Sequence, residues 1–157
     1  NTLVYPYLSY CIQVWGSAYN SLLSNLIKLQ KRIIRIISGV PPQTHSEPLF
    51  KTLNVLTVKN LYNYSVALFM YKYVNLMLPP IFTMFTVNSA IHAYNTRSSQ
   101  KFHVPHCHTR RSQKTIRYTG VTLWNYLTDK LNSSCKIGTF KFHLKTYLIQ
   151  NQVSINL

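Results

Sequence analysis

Two proline pairs, Pro41-Pro42 and Pro79-Pro80, close the two longest stretches of helical period in this chain. Proline inside a helix removes a ladder hydrogen bond and clashes with the preceding turn, so each pair acts as a stop. The first stop is reinforced by Gly39, which tolerates a left-handed cap, and it ends a helix predicted over about 21–38. Within it Leu22, Leu26, Leu29, Ile33, Ile36 and Ile37 fall on one side. Lys28, Lys31, Arg32 and Arg35 follow an i, i+3, i+4, i+7 pattern on another, which predicts an amphipathic helix with a cationic stripe. The second stretch is predicted to start at a Thr57 cap and run to about 77. Leu61, Tyr62, Val66, Leu68, Phe69, Met70, Tyr73, Val74 and Met77 cover most of its circumference, as expected of a helix enclosed by neighbours.

The remaining elements are shorter. Pro6 opens a stretch, 8–15, with the apolar density of a buried helix, in which Cys11 reads as core and Trp15 as a core anchor. Gly16, Ser17 and Asn20 then allow a turn. Ser46, followed by Glu47 and Pro48, starts a short helix to about 53. From 86 to 114 the composition shifts to Asn, Ser, His, Arg and Lys with little helical period, which predicts a loop-rich segment between two lobes. Beyond it come a short extended stretch over 115–118 and a helix through Gly120 carrying Val121, Trp124 and Leu127. A last helix, capped by Thr139, places Phe140, Leu144, Tyr147 and Leu148 on its apolar side and leaves Lys141 and Lys145 exposed. The expected fold is mainly α: an irregular helical bundle over 1–85, a basic loop-rich linker over 86–114, a small helical lobe over 115–150 and a tail over 151–157, with room for one short β element.

Charge narrows the function classes. Seventeen Lys and Arg residues face only two acids, Glu47 and Asp129, among 157 residues, a formal charge of +15. Such a chain repels itself unless a polyanion is near. The scarcity of carboxylates is equally telling, because polymerases, nucleases and hydrolases use clusters of Asp and Glu to hold metal ions or move protons. With 46% apolar content the chain is not disordered in general, and with 13% aromatics and charge of one sign it is expected to associate or aggregate without a partner. Cys11, Cys107 and Cys135 form no C-x-x-C pattern and point to reduced thiols, hence an intracellular setting in cytoplasm or nucleus. No membrane-spanning run or signal peptide is visible, and no membrane partner is expected. A first residue of Asn1, with an apolar start at Leu3 and Val4, suggests a chain that begins inside a longer reading frame.

The cations gather in two places. One is the helical stripe Lys28, Lys31, Arg32, Arg35; the other is the run Arg97, Lys101, Arg110, Arg111, Lys114, Arg117, interleaved with Tyr94, Phe102 and Tyr118. Cations and aromatics mixed in this way can neutralise phosphates and stack on unpaired bases. All ten cations are candidate nucleic-acid contacts. The run His103, His106, Cys107, His108 has soft ligands but poor spacing for one tetrahedral ion and no second half-site, so no metal is expected there. His92 and His143 do not alter this. No G-x-S-x-G elbow accompanies the serines and histidines, and the four glycines form no phosphate-cradling loop, so neither a catalytic triad nor a small-molecule or nucleotide substrate is expected. Trp124, like Trp15, reads as a core anchor.

Several strings, taken in order, carry a resemblance: Y-P-Y-L-S-Y-C-I-Q-V-W-G (5–16), L-I-K-L-Q-K-R-I-I-R-I-I-S-G (26–39), P-L-F-K-T-L-N-V-L-T (48–57), H-A-Y-N-T-R-S-S (92–99), L-W-N-Y-L (123–127) and T-F-K-F-H-L-K (139–145). Together they resemble the region after the palm in jockey-like, LINE-type non-LTR retrotransposon reverse transcriptases, over nearly the whole chain. The resemblance implies the thumb and extension of an RNA-directed DNA polymerase whose palm, with its metal-binding aspartates and Mg2+, lies outside this sequence. No catalytic residue and no cofactor is therefore carried over. The implied partners are RNA or DNA, especially an RNA–DNA hybrid, and the rest of the reverse transcriptase. By the same resemblance the L-Q-K-R-I-I-R helix would face nucleic acid and Arg97 would sit in a polar loop; the histidine-rich stretch departs from the pattern. Two other readings fit the residues: a protein-interaction or structural module of the retrotransposon particle, and a transposon relic without a role.

Overall fold

The computed structural model describes residues 4–91, 96–131 and 136–151, and their backbone is mainly helical. The helices are α1 (Tyr5–Ser9), α2 (Ile12–Trp15), α3 (Asn20–Ser38), α4 (Glu47–Thr52), α5 (Val58–Val74), α6 (Arg110–Gln113), α7 (Ile116–Thr128) and α8 (Ile137–Gln150), with a 3₁₀ turn at Asn88–Ala90. Among the described residues the one β feature is an isolated bridge between Val87 and Phe102. Contacts divide the chain into two compact units, one built on Asn1–Ser65 with Lys141–Asn156 and the other on Val66–Phe140.

In the first unit the predicted helix over 8–15 is broken. Cys11 adopts φ 48°, a left-handed conformation unusual outside glycine, and separates α1 from α2. Cys11 is exposed rather than part of the core; its neighbour Ile12, at 2% exposure, takes that place. Trp15 is half-buried, with its indole N–H donating to the Tyr10 carbonyl at 2.7 Å. Gly16 is required by close packing, since a Cβ there would lie 2.5 Å from both the Ile12 carbonyl and the Tyr62 ring.

Helix α3 ends as the sequence predicts. Gly39 takes φ 64°, its N–H bonds to the Ile36 carbonyl, and Val40 N–H bonds to the Arg35 carbonyl, the paired bonds of a Schellman cap. Its rotation differs from the prediction. The residues it buries are Leu23, Gln30 and Ile34, whereas Leu22, Leu29, Ile36 and Ile37 of the predicted apolar face are exposed. At about 100° per residue the helix is turned roughly a quarter-turn from the expected orientation. Gln30 gives the reason: its side-chain amide donates to the Leu56 carbonyl at 2.9 Å, and its Oε1 accepts from Val58 N–H at 3.0 Å. One buried amide thus satisfies the last loop carbonyl before α5 and an orphan N–H at its first turn, which draws that side of α3 inward.

Helix α5 matches its all-round apolar pattern except at its C-terminal end, where Val74 and Met77 of the predicted set are exposed. Val58, Leu61, Tyr62, Val66, Ala67, Met70 and Tyr71 are all buried. Thr57 caps it by accepting from Asn60 N–H, and in the first unit the Asn60 amide donates to the Leu148 carbonyl of α8 at 2.8 Å. It stops at Val74 rather than near 77, because Leu76 turns left-handed at φ 54° and Met77 N–H returns to the Lys72 carbonyl at 2.8 Å.

The second unit has its core where α5 meets α7. Val121, Leu123, Trp124 and Leu127 are buried, and the Tyr71 and Phe140 rings stack at 4.4 Å. Trp124 is the core anchor its context implies. A Cβ on Gly120 would meet Met70 Sδ at 3.1 Å, tighter than ordinary contact. The predicted extended stretch over 115–118 is instead the cap and first turn of α7, with only Thr115 extended. Helix α8 likewise begins at Ile137, so Thr139 lies inside it rather than capping it. Phe140, Leu144 and Leu148 form its buried side as expected. Cys135 and the tail beyond Asn151 lie outside the described residues, among which no helix is long and apolar enough to cross a membrane.

Candidate nucleic-acid interface

The basic run of the second unit begins on a loop held firmly at one end. Asn88 N–H bonds to the Lys101 carbonyl, Ser89 N–H to Ser99 and His103 N–H to Thr86, so residues 86–89 and 99–103 pair in a short ladder around the Val87–Phe102 bridge. Asn125 of α7 extends that pairing with its side chain, donating to the Phe102 carbonyl at 2.8 Å and accepting from Phe102 N–H at 3.1 Å. The Phe102 ring packs edge-on against Tyr73 and Phe85, each 6.0 Å away. Phe102 is therefore an anchor and not the base-stacking platform its position suggested. Tyr94 lies outside the described residues, and Tyr118 is half-buried.

On this anchored loop Arg97 is exposed in the turn 96–99. Farther along, Thr109 caps α6 by accepting from Ser112 N–H at 3.2 Å, and Arg110 and Arg111 open that helix exposed. Lys114 follows half-buried, and Arg117 is exposed in the first turn of α7. A cation there opposes the helix dipole by roughly 0.3–1 kcal/mol, a penalty that a nearby anion reverses. No acid accompanies it in that turn. Lys101 is committed elsewhere, 2.7 Å from Asp129, in an exposed pair worth at most about 1 kcal/mol.

The stripe on α3 belongs to the first unit and is less uniform. Lys28 and Arg32 are exposed, while Lys31 and Arg35 are half-buried. Arg35 Nε donates to the Thr44 carbonyl at 2.7 Å and so holds the turn that follows the helix. The structure therefore brings Arg110, Arg111, Lys114 and Arg117 onto consecutive elements and splits the α3 four into two solvent-facing and two inward-leaning cations.

Among the described residues no group of three His, Cys, Asp or Glu side chains could hold a metal ion; the His106 and His108 rings lie 4.5 Å apart. One concave feature gave no sequence signal, because its residues are far apart in the chain. In the first unit Tyr5, Pro6, Asn54, Val55, Leu56, Tyr64 and Lys145 line an open cavity of about 520 Å³. Lys145 is half-buried there rather than exposed as its spacing suggested. Burial, and then the neighbouring Tyr5, push the Tyr64 phenol above its ordinary value of 10.0, which keeps it neutral. The cavity is apolar with one cation and no carboxylate.

Comparisons of the chain with protein families, with curated proteins and with solved structures find no match.

Proposed function

We propose that this chain is the C-terminal, post-catalytic part of a non-LTR retrotransposon reverse transcriptase, and that it holds template RNA or an RNA–DNA duplex while the catalytic aspartates lie elsewhere. The ordered strings from Tyr5 to Lys145 support the parentage. The observation that carries the binding role is the set of exposed arginines, Arg97, Arg110, Arg111 and Arg117, on a chain whose formal charge is +15. Phosphates neutralise such a surface and release counterions, which makes affinity steeply salt-dependent. Phosphate contacts fix position and carry no base information directly, so binding is without marked sequence preference.

Filter binding of the full chain to an RNA–DNA hybrid tests this reading. Four phosphate contacts give a slope of log K against log[salt] of roughly −3 to −4, or a loss of about 100-fold between 50 and 200 mM salt. Absence of hybrid binding at 50 mM salt, or an affinity indifferent to salt, overturns it.

A further inference from the structure

The quarter-turn of α3 leaves a row of large aliphatic side chains in water. Leu22, Leu29 and Ile36 recur every seventh residue and are 71%, 54% and 69% exposed. Leu26 and Ile33, half-buried, fill the intervals, giving alternating steps of four and three. That spacing is the seam of a two-helix coiled coil, with each side chain placed to enter a hole on a facing helix. From Leu22 to Ile36 the row is about 21 Å long at 1.5 Å per residue. Single exposed aliphatics need no explanation, but a continuous row does.

The two flanks of the row differ. On one side lie Leu23, Gln30 and Ile34, already buried in the first unit; on the other lie Asn25, Lys28 and Arg32, all exposed. We propose that this ridge is the docking face for an acidic amphipathic helix of another protein. Its apolar stripe would pack on Leu22, Leu29 and Ile36, and its Glu or Asp side chains would lie along the Lys28 and Arg32 flank. Charge selects that occupant. A second copy would bring another +15 against the first. A bilayer favours a broad apolar face bordered by cations on both sides, whereas this ridge has cations on one flank only. Nucleic acid gains nothing from aliphatic side chains that neither stack nor hydrogen-bond. The proposal goes beyond the nucleic-acid reading and does not depend on it: Lys28 and Arg32 serve carboxylates here, and the phosphate contacts remain with the second unit.

A test uses the full chain at 150 mM salt and three labelled synthetic peptides followed by fluorescence anisotropy. One has three heptads with Leu at a and d and Glu at e and g, one has Lys in place of each Glu, and one has the Glu peptide's composition in scrambled order. The Glu peptide is expected to bind, the other two to fail, and the double variant L22Q/L29Q to weaken binding by about tenfold or more through loss of the seam. Circular dichroism and thermal melting check that L22Q/L29Q remains folded; an unfolded variant is replaced by K28E/R32E, expected to give a loss of similar size. The proposal is overturned by no binding of the Glu peptide, by equal binding of the scrambled or Lys peptide, or by equal binding to a folded variant. It is also overturned if the wild-type chain alone sediments as a dimer that L22Q/L29Q disperses, or floats with neutral phospholipid vesicles when the variant does not. Hybrid binding, measured separately, is unaffected by any of these outcomes, so the two readings fail independently.

Discussion

The stripe on α3 and the run over 97–117 look alike as sequence, each a cluster of cations with scarcely an acid nearby, yet their surroundings differ. Beside Lys28 and Arg32 stands an uncovered aliphatic ridge. Arg110 and Arg111 stand on a one-turn helix capped by the Thr109 hydroxyl, Arg117 in the first turn of α7, and Arg97 on a loop fastened by Asn125. Charge of one sign favours an anionic partner, and on the proposals above the neighbours of the charge distinguish which kind. An aliphatic seam suits a helix with carboxylates, and a polar, anchored loop suits phosphates.

The largest effect that bears on this contrast comes from Gln30, which holds α3 in the rotation that exposes its ridge. Replacing Gln30 with Leu leaves the Leu56 carbonyl and Val58 N–H buried without partners, at about 1–3 kcal/mol each. Urea unfolding is expected to show a loss of at least about 2 kcal/mol; no loss would mean that something else sets the rotation. On the other side of the contrast, Asn125→Ala removes two bonds to Phe102 and costs about 1–2 kcal/mol. Because the basic loop is anchored there, the same variant is expected to weaken hybrid binding by roughly threefold, the equivalent of about 0.7 kcal/mol. Leu29→Gln, at an exposed site, is expected to change stability by less than about 0.5 kcal/mol, which thermal melting checks. A large destabilisation would show that the ridge is covered by the chain itself. Of comparable size is Asp129→Asn. It frees Lys101 from an exposed pair, so stability changes by under about 1 kcal/mol, and hybrid affinity is expected to rise slightly, with a salt slope steeper by at most about one unit.

Most of the helical layout was legible in the residues. The apolar pattern of α5 up to its last turn, its Thr57 cap, and the Gly39 stop of α3 all follow from local periodicity and cap chemistry, and the structure bears them out; Val74 and Met77, where the helix ends early, are exposed. The rotation of α3 was not legible in the same way. Counting aliphatics favours the Leu22–Leu29–Ile36 side, while a single glutamine with two long-range backbone partners favours the Leu23–Gln30–Ile34 side, and the buried amide prevails. A polar residue at 23, 27, 30, 34 spacing among aliphatics was the available signal. Cys11 escaped for a different reason: apolar neighbours suggested core, and nothing local announced a left-handed break. At the candidate interface the exposed arginines were legible from charge clustering. The diversion of Phe102 into an aromatic cluster, of Lys101 to Asp129 and of Arg35 to Thr44 was not, because each depends on a partner that only folding brings near.

The claim that the two cationic groups serve different partners is tested most directly by one binding series. Salt titrations of an RNA–DNA hybrid are run side by side with wild type, K28Q/R32Q and R110Q/R111Q. The expected result is a slope reduced by roughly two units and an affinity lower by on the order of tenfold or more for R110Q/R111Q, with K28Q/R32Q within about threefold of wild type. Equal losses in the two variants, or a larger loss in K28Q/R32Q, would contradict the account.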